Sequence, residues 1–170
     1  MNIKEFIREI PDFPKEGILF KDITPILQNP KTYKYVINKM VDYYSNYDID
    51  YVAAIEARGF LFGPQIAMKL DRGFIPIRKP GKLPAEVISA EYDLEYGTNT
   101  IEIHKDAIKP GDKVLLIDDL LATGGTTKAA IELIEKLNGK IISVGFLLEL
   151  TALKGRNELE GYDVYSLISD

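Results

Sequence analysis

From about residue 50 onward the chain alternates short β-branched and leucine runs with stretches whose apolar residues recur every three or four positions. Tyr51 to Glu56, Gly73 to Ile77, Lys113 to Asp118 and Ile141 to Leu148 have the length and composition of buried strands. Gly59 to Leu70 and Thr126 to Asn138 carry helical spacing, the second with Ala130, Ile131, Leu133, Ile134 and Leu137 on one side. Such alternation predicts an α/β protein with a mostly parallel twisted sheet flanked by helices. Residues 86 to 103 break the rhythm: Val87 to Tyr92 and Thr100 to Ile103 flank a turn-like segment and predict a two-stranded excursion. At the ligand edge of a sheet, such an excursion serves as a mobile lid, here bounded as 82–103. Residues 31 to 46 read as a helix with Tyr33, Val36, Ile37, Met40 and Tyr44 near one face. Before them, Pro11, Pro14, Gly17, Pro25 and Pro30 predict an extended arm over residues 1–30, although Ile3, Phe6, Ile7 and Ile10 at its start have amphipathic helix spacing.

Composition narrows the function. A chain of 170 residues, 46% hydrophobic, supports one substantial core, so 1–170 reads as a single domain. Without cysteine there is no disulfide, thiolate metal site or cysteine nucleophile. The lone histidine, His104, stands beside Lys105 and Asp106 with no nucleophile context and reads as structural. Walker, Rossmann and His-Glu-x-x-His patterns are missing. No apolar run reaches spanning length and no secretory signal is present, so a soluble cytoplasmic protein with no membrane partner is expected. A formal net charge of −5 disfavours nucleic acid. Yet Arg78, Lys79 and Lys82 lie close together and Arg58 follows a strand, which suggests a small anionic ligand.

The chemistry concentrates between Val114 and Thr127. A buried strand leads into the carboxylate pair Asp118 and Asp119, read as an acidic turn, and then into Ala122-Thr123-Gly124-Gly125-Thr126-Thr127 at the start of a helix. Unpaired backbone N–H groups and the positive end of the helix dipole favour an anion there. The glycines let the backbone approach it, and the threonine hydroxyls add donors. Two adjacent carboxylates beside a phosphate require a partner between them, either vicinal sugar hydroxyls or a divalent cation.

Val-Leu-Leu-Ile-Asp-Asp-Leu-Leu-Ala-Thr-Gly-Gly-Thr resembles the signature by which type I phosphoribosyltransferases hold 5-phosphoribosyl-1-pyrophosphate (PRPP), in the form of their adenine phosphoribosyltransferase branch. Further blocks resemble the same branch in order along nearly the whole chain: Phe13-Pro14, Gly17 to Pro25, Glu56 to Phe60, Arg78 to Pro84, Leu94 to Gly97 and Glu149-Leu150-Thr151. The resemblance implies transfer of the phosphoribosyl group from PRPP to adenine, giving AMP and pyrophosphate, with Mg²⁺ held mainly by substrate and water rather than by direct protein ligands. It implies that Ala122, Thr123, Gly124, Gly125 and Thr126 hold the 5′-phosphate, Asp118 and Asp119 the ribose hydroxyls, and Arg58 and Lys82 the pyrophosphate. Lys79 is then expected to act across a homodimer interface. The peptide near Glu56-Ala57 can be cis in this family.

An oxocarbenium-like transition state needs negative groups at the ribose and positive ones at the leaving group. Arg58 therefore counts as catalytic, with Glu95 on the lid accepting the proton that the base must lose. Adenine offers an N6 donor beside an N1 acceptor, a pattern that an extended backbone matches through the Leu19 carbonyl and the Lys21 amide, with Phe20 stacked on the ring. A 6-oxopurine would meet mismatched groups. Two other readings are a 6-oxopurine transferase, which the Leu19-Phe20-Lys21 arm disfavours, and a PRPP-sensing nucleic-acid-binding regulator, for which the chain offers neither a basic face nor an added domain.

Overall fold

The expected arm is extended, as a hairpin, as far as Asp22, but its Thr24–Gln28 part is helical, and the helical spacing near the start is not realised as an α-helix. In the computed structural model, which describes residues 1–94 and 97–170, a 3₁₀ turn at Ile3–Phe6 leads into β1 (Arg8–Pro11), paired antiparallel with β2 (Leu19–Asp22). The helical spacing of Phe6, Ile7 and Ile10 is overridden because the prolines beyond it stop a helix, and pairing with β2 satisfies the backbone instead. Two helices follow, α1 (Thr24–Gln28) and α2 (Pro30–Tyr44). α2 starts where Asn29 accepts a hydrogen bond from the Lys31 amide at 2.9 Å and Pro30 takes the first helical position.

The central sheet begins with β3 (Tyr51–Ile55), followed by a 3₁₀ turn at Arg58–Leu61, α3 (Gly63–Lys69) and β4 (Gly73–Ile77). The single helix expected from Gly59 thus divides in two, with Pro64 near the start of the second part. Next come β5 (Val87–Leu94) and β6 (Gly97–His104), the expected two-stranded excursion, paired from Val87↔His104 to Leu94↔Gly97. β7 (Lys113–Leu121), α4 (Gly125–Lys136), β8 (Lys140–Glu149) and β9 (Val164–Ser169) complete the chain. The five-stranded sheet has the order β4-β3-β7-β8-β9 and is parallel throughout.

Alternating side chains on the strands feed two cores. Leu115, Ile117, Val52 and Ala54 pack with α2 and α3 on one face, while Leu116, Val114, Ala53 and Ile55 pack with α4 on the other. The second core also takes in Ala90 from β5 and Ile101 and Ile103 from β6, each at most 4% exposed. The excursion is therefore rooted in the core, and only its outer part stands clear.

Among the described residues, no helix is long and apolar enough to cross a membrane.

Candidate active site

Parallel strands open their carboxyl ends to the same edge, and the order of this sheet places the ends of β3 and β7 next to each other. The 3₁₀ turn after β3 carries Arg58, and β7 carries the acidic pair. Asp118 and Asp119 lie within β7 rather than in a turn after it, because pairing with β8 continues through Asp118↔Phe146 to Leu121↔Glu149. A strand fixes the two carboxylates more firmly than a turn would.

Asp119 is buried, with 5% of its surface exposed, and its Oδ2 forms an ion pair with Arg58 Nε at 2.9 Å. Asp118 Oδ1 accepts from the Asp119 amide at 2.8 Å. Burial and then the neighbouring Asp119 charge push the Asp118 carboxyl well above the usual carboxylate range. Burial likewise raises Asp119, while the Arg58 guanidinium pulls it back down. Ionisation of both carboxylates is thus disfavoured by their burial. Gly59 makes this packing possible: a Cβ there would stand 3.0 Å from Asp118 Oδ1 and 3.3 Å from the Ile117 carbonyl.

Beyond Leu121 the chain turns into α4 through Gly124, whose φ of +90° favours glycine. Arg58, Asp118, Asp119, Leu120 and the run Ala122 to Thr127 together line one cavity of about 170 Å³. Every loop residue expected at the phosphate is here, along with both aspartates and Arg58. The base arm reaches the same place, since the Arg58 guanidinium carbon lies 5.8 Å from the centre of the Phe20 ring. Phe20 also meets Phe13 edge to face, with ring centres 5.1 Å apart.

The backbone of the arm has a defined polarity. Pro11 has no N–H and stands opposite Leu19, so that pair cannot exchange both ladder bonds, while the Ile18 carbonyl accepts from the Phe13 amide at 3.2 Å. By the alternation of an antiparallel ladder, Phe20 and Asp22 turn their backbone groups toward β1, and Leu19 and Lys21 turn theirs away. The Lys21 side chain is used as a tether: its ammonium pairs with Glu9 and with Asp170.

Lys79 and Lys82 are not brought to this cavity. Both are exposed in the connection after β4, an edge strand two strand spacings, roughly 10 Å, from β7. Arg78 of the same cluster is engaged by Glu56, whose Oε1 accepts from Arg78 Nε at 3.1 Å and from the Lys79 amide at 2.7 Å. Burial works against the Glu56 carboxylate, but these donors hold it below its ordinary range. The peptide from Glu56 to Ala57 is cis, as is Phe13 to Pro14. Glu95 lies outside the described residues. His104 accepts a hydrogen bond from the Ala85 amide at 3.3 Å through Nε2, away from the cavity.

A family model described as the phosphoribosyl transferase domain matches residues 22–168. The chain belongs to the phosphoribosyltransferase family. Its likeness to known phosphoribosyltransferases extends over the full length. The adenine phosphoribosyltransferase of Halothermothrix orenii is 66% identical over 170 residues, covering all of both chains. The crystal structure of adenine phosphoribosyltransferase from Thermoanaerobacter pseudethanolicus superposes with a TM-score of 0.96 at 56% identity, covering 99% of this chain and 98% of that one. The Saccharomyces cerevisiae adenine phosphoribosyltransferase, solved with adenine and an imino-altritol bisphosphate, matches with a TM-score of 0.91 at 43% identity over 97% of this chain and 96% of that one.

For a phosphoribosyltransferase reading, sequence reasoning missed two positions. Glu56 stands in the sequence only at the end of a strand and the start of a family block, yet it fixes the basic connection after β4. Gly155 had no motif to mark it, yet its backbone lies against the phosphate loop. Only its place in the folded chain reveals it.

Proposed function

We propose that the chain transfers the 5-phosphoribosyl group of PRPP to adenine, giving AMP and pyrophosphate. The observation that carries this reading is the meeting of Phe20, Arg58 and Asp119 at the mouth of the phosphate loop. A base-stacking ring, a cation and a carboxylate side by side support a site where base, pyrophosphate and ribose come together. Relatives named adenine phosphoribosyltransferase along the whole chain support the same substrate.

The loop amides from Ala122 to Thr126 and the hydroxyls of Thr123 and Thr126 bind the 5′-phosphate at the start of α4. Vicinal ribose hydroxyls donate to Asp118 and Asp119, offsetting the burial that disfavours their ionisation. As the bond between the anomeric carbon and the pyrophosphate oxygen breaks, positive charge grows on the ribose, and these carboxylates stabilise it. Arg58 faces the departing pyrophosphate, and Lys82 reaches it when the exposed connection after β4 folds toward the cavity. The new bond forms to a ring nitrogen of adenine, whose proton passes to the Glu95 carboxylate. Leu19 C=O and Lys21 N–H, turned away from β1, accept from the N6 amino group and donate to N1. Among the described residues no group of three or more Asp, Glu or His side chains is placed to hold a metal ion. Mg²⁺ would be held mainly by oxygens of the substrate and by water, and would supply positive charge against the pyrophosphate. PRPP and AMP do not cross membranes unaided because of their charge, so an enzyme that uses them belongs in the cytoplasm.

The decisive experiment is AMP formation from PRPP and Mg²⁺ with adenine, run in parallel with hypoxanthine, guanine and xanthine. Turnover with adenine and at least about a hundredfold less with each 6-oxopurine is expected. An oxopurine used equally well would remove specificity from the arm, and no turnover with any base would end the transferase reading. In the same assay Glu95→Gln lowers kcat while leaving AMP affinity within about threefold, and an unchanged kcat would sink the proton-acceptor role.

The distance of Lys79 from the cavity supports its use by a neighbouring subunit. The protein is then a homodimer at assay concentration by sedimentation velocity, and an active monomer would contradict this role.

A further inference from the structure

We propose that Gly155 is a positioning residue for the 5′-phosphate, its backbone forming the rear wall against which the loop from Ala122 to Gly125 is seated. The proposal rests on the phosphate-site reading above. β7 and β8 are neighbours in register to Leu121↔Glu149, and the Leu150 amide donates to the Leu121 carbonyl at 2.9 Å. The two segments that leave these strands therefore run side by side, and they touch backbone to backbone. A Cβ on Gly155 would stand 2.3 Å from the Ala122 carbonyl oxygen and 2.9 Å from Leu121 Cδ1. A Cβ on Gly124 would stand 2.7 Å from the Gly155 carbonyl oxygen.

The reasons for the two glycines differ. Gly124 has a left-handed backbone, but Gly155 does not, so at 155 only the space compels glycine. What the space protects is the position of Ala122, the first residue of the loop.

The wall itself is held firmly. Arg156 donates from Nε and Nη2 to the two oxygens of Glu149, each at 2.8 Å, and from Nη1 to the Val164 carbonyl at 2.9 Å. Glu149, 4% exposed, also accepts from Ser166 Oγ at 2.8 Å. This fork closes the turn that carries Gly155 onto the ends of β8 and β9. Glu158 ties the same turn to α4 through Lys128 at 2.8 Å. A methyl group added at 155 therefore displaces the phosphate loop rather than the wall, and ordinary contact requires the Ala122 carbonyl to retreat by on the order of 1 Å. A retreat of that size misplaces the amides that converge on the phosphate and leaves the base arm untouched.

The test is Gly155→Ala, with ribose 5-phosphate binding followed by calorimetry and the KM values for PRPP and adenine measured separately. Affinity for ribose 5-phosphate falls, and KM for PRPP rises, by about ten- to a hundredfold, while KM for adenine stays within about twofold. Equal loss toward both substrates together with a lowered melting temperature, or no change toward either, would overturn the proposal. Should Gly155→Ala fail to fold, Arg156→Lys decides: it keeps a cation at Glu149 but loses the fork, so KM for PRPP alone rises by about threefold or more, and an unchanged value overturns the wall. Thr126→Ala separates this proposal from the reading beneath it. If that variant weakens ribose 5-phosphate and Gly155→Ala does not, the wall alone falls; if neither does, the phosphate site is elsewhere.

Discussion

Replacing Asp118 and Asp119 together by asparagine is expected to lower kcat/KM for PRPP by about a thousandfold or more and to raise the melting temperature of the unliganded protein. On the proposed function, the loss follows from removing both carboxylates that hold the ribose; Asp119 is also 2.9 Å from Arg58. The gain follows from the sign of the electrostatics. Burial and mutual repulsion raise the Asp118 carboxyl, and burial raises Asp119. A carboxyl whose pKa is higher folded than unfolded contributes its stability at low pH and loses it as pH rises through the folded value. At neutral pH the pair therefore burdens the empty protein, and a neutral isostere relieves it; in a chain of this size each kcal/mol appears as roughly 2–4 °C. Calorimetric melts at pH 5 and pH 8 check this, with the difference between variant and parent larger at the higher pH. Near-normal activity would sink the ribose role, and a lower melting temperature at pH 8 would sink the electrostatic account.

Arg58→Met should be nearly as damaging to turnover, at about a hundred- to a thousandfold in kcat/KM, and should also alter its pH dependence. Against burial, which raises Asp119, the Arg58 guanidinium is the cation that lowers it. Without it Asp119 binds its proton more tightly, so the acid limb of the kcat/KM profile moves to higher pH. Arg58→Lys keeps the charge but gives up the planar group over Phe20, so it should retain the parent acid limb at reduced activity. Profiles from pH 5 to pH 9 for the three proteins decide the matter. An acid limb common to parent and Arg58→Met would show that Asp119 is not the group that titrates there.

The central strands were legible because a buried parallel strand is an apolar run and an amphipathic helix repeats every 3.6 residues, signals that survive in sequence. β9 escaped because it is an edge strand whose Val164 to Leu167 are only partly buried, so no clean alternation marks it. The first ten residues showed a helical period that the pairing of β1 with β2 overrode. Asp118 and Asp119 read as a turn because carboxylates are rare in strand interiors; their place in β7 is enforced by the β8 ladder, a partner distant in sequence. The loop from Ala122 to Thr127 was legible as the strand-to-helix turn beside the acidic pair since its residues are contiguous. Gly155 and Glu56 were not, since each acts on a segment that folding alone brings to it.

The rooting of the β5–β6 hairpin has a dynamic corollary. With Ala90, Ile101 and Ile103 sealed into the same core as α4, the base of the hairpin is clamped. That base shares a core with α4, the helix that starts at the loop from Ala122 to Thr126, so a load carried down the hairpin is felt first at that loop. Deuterium uptake should then divide along each strand, slow inside Ala90 and Ile101 whether or not ligand is bound, and responsive to AMP only outside them.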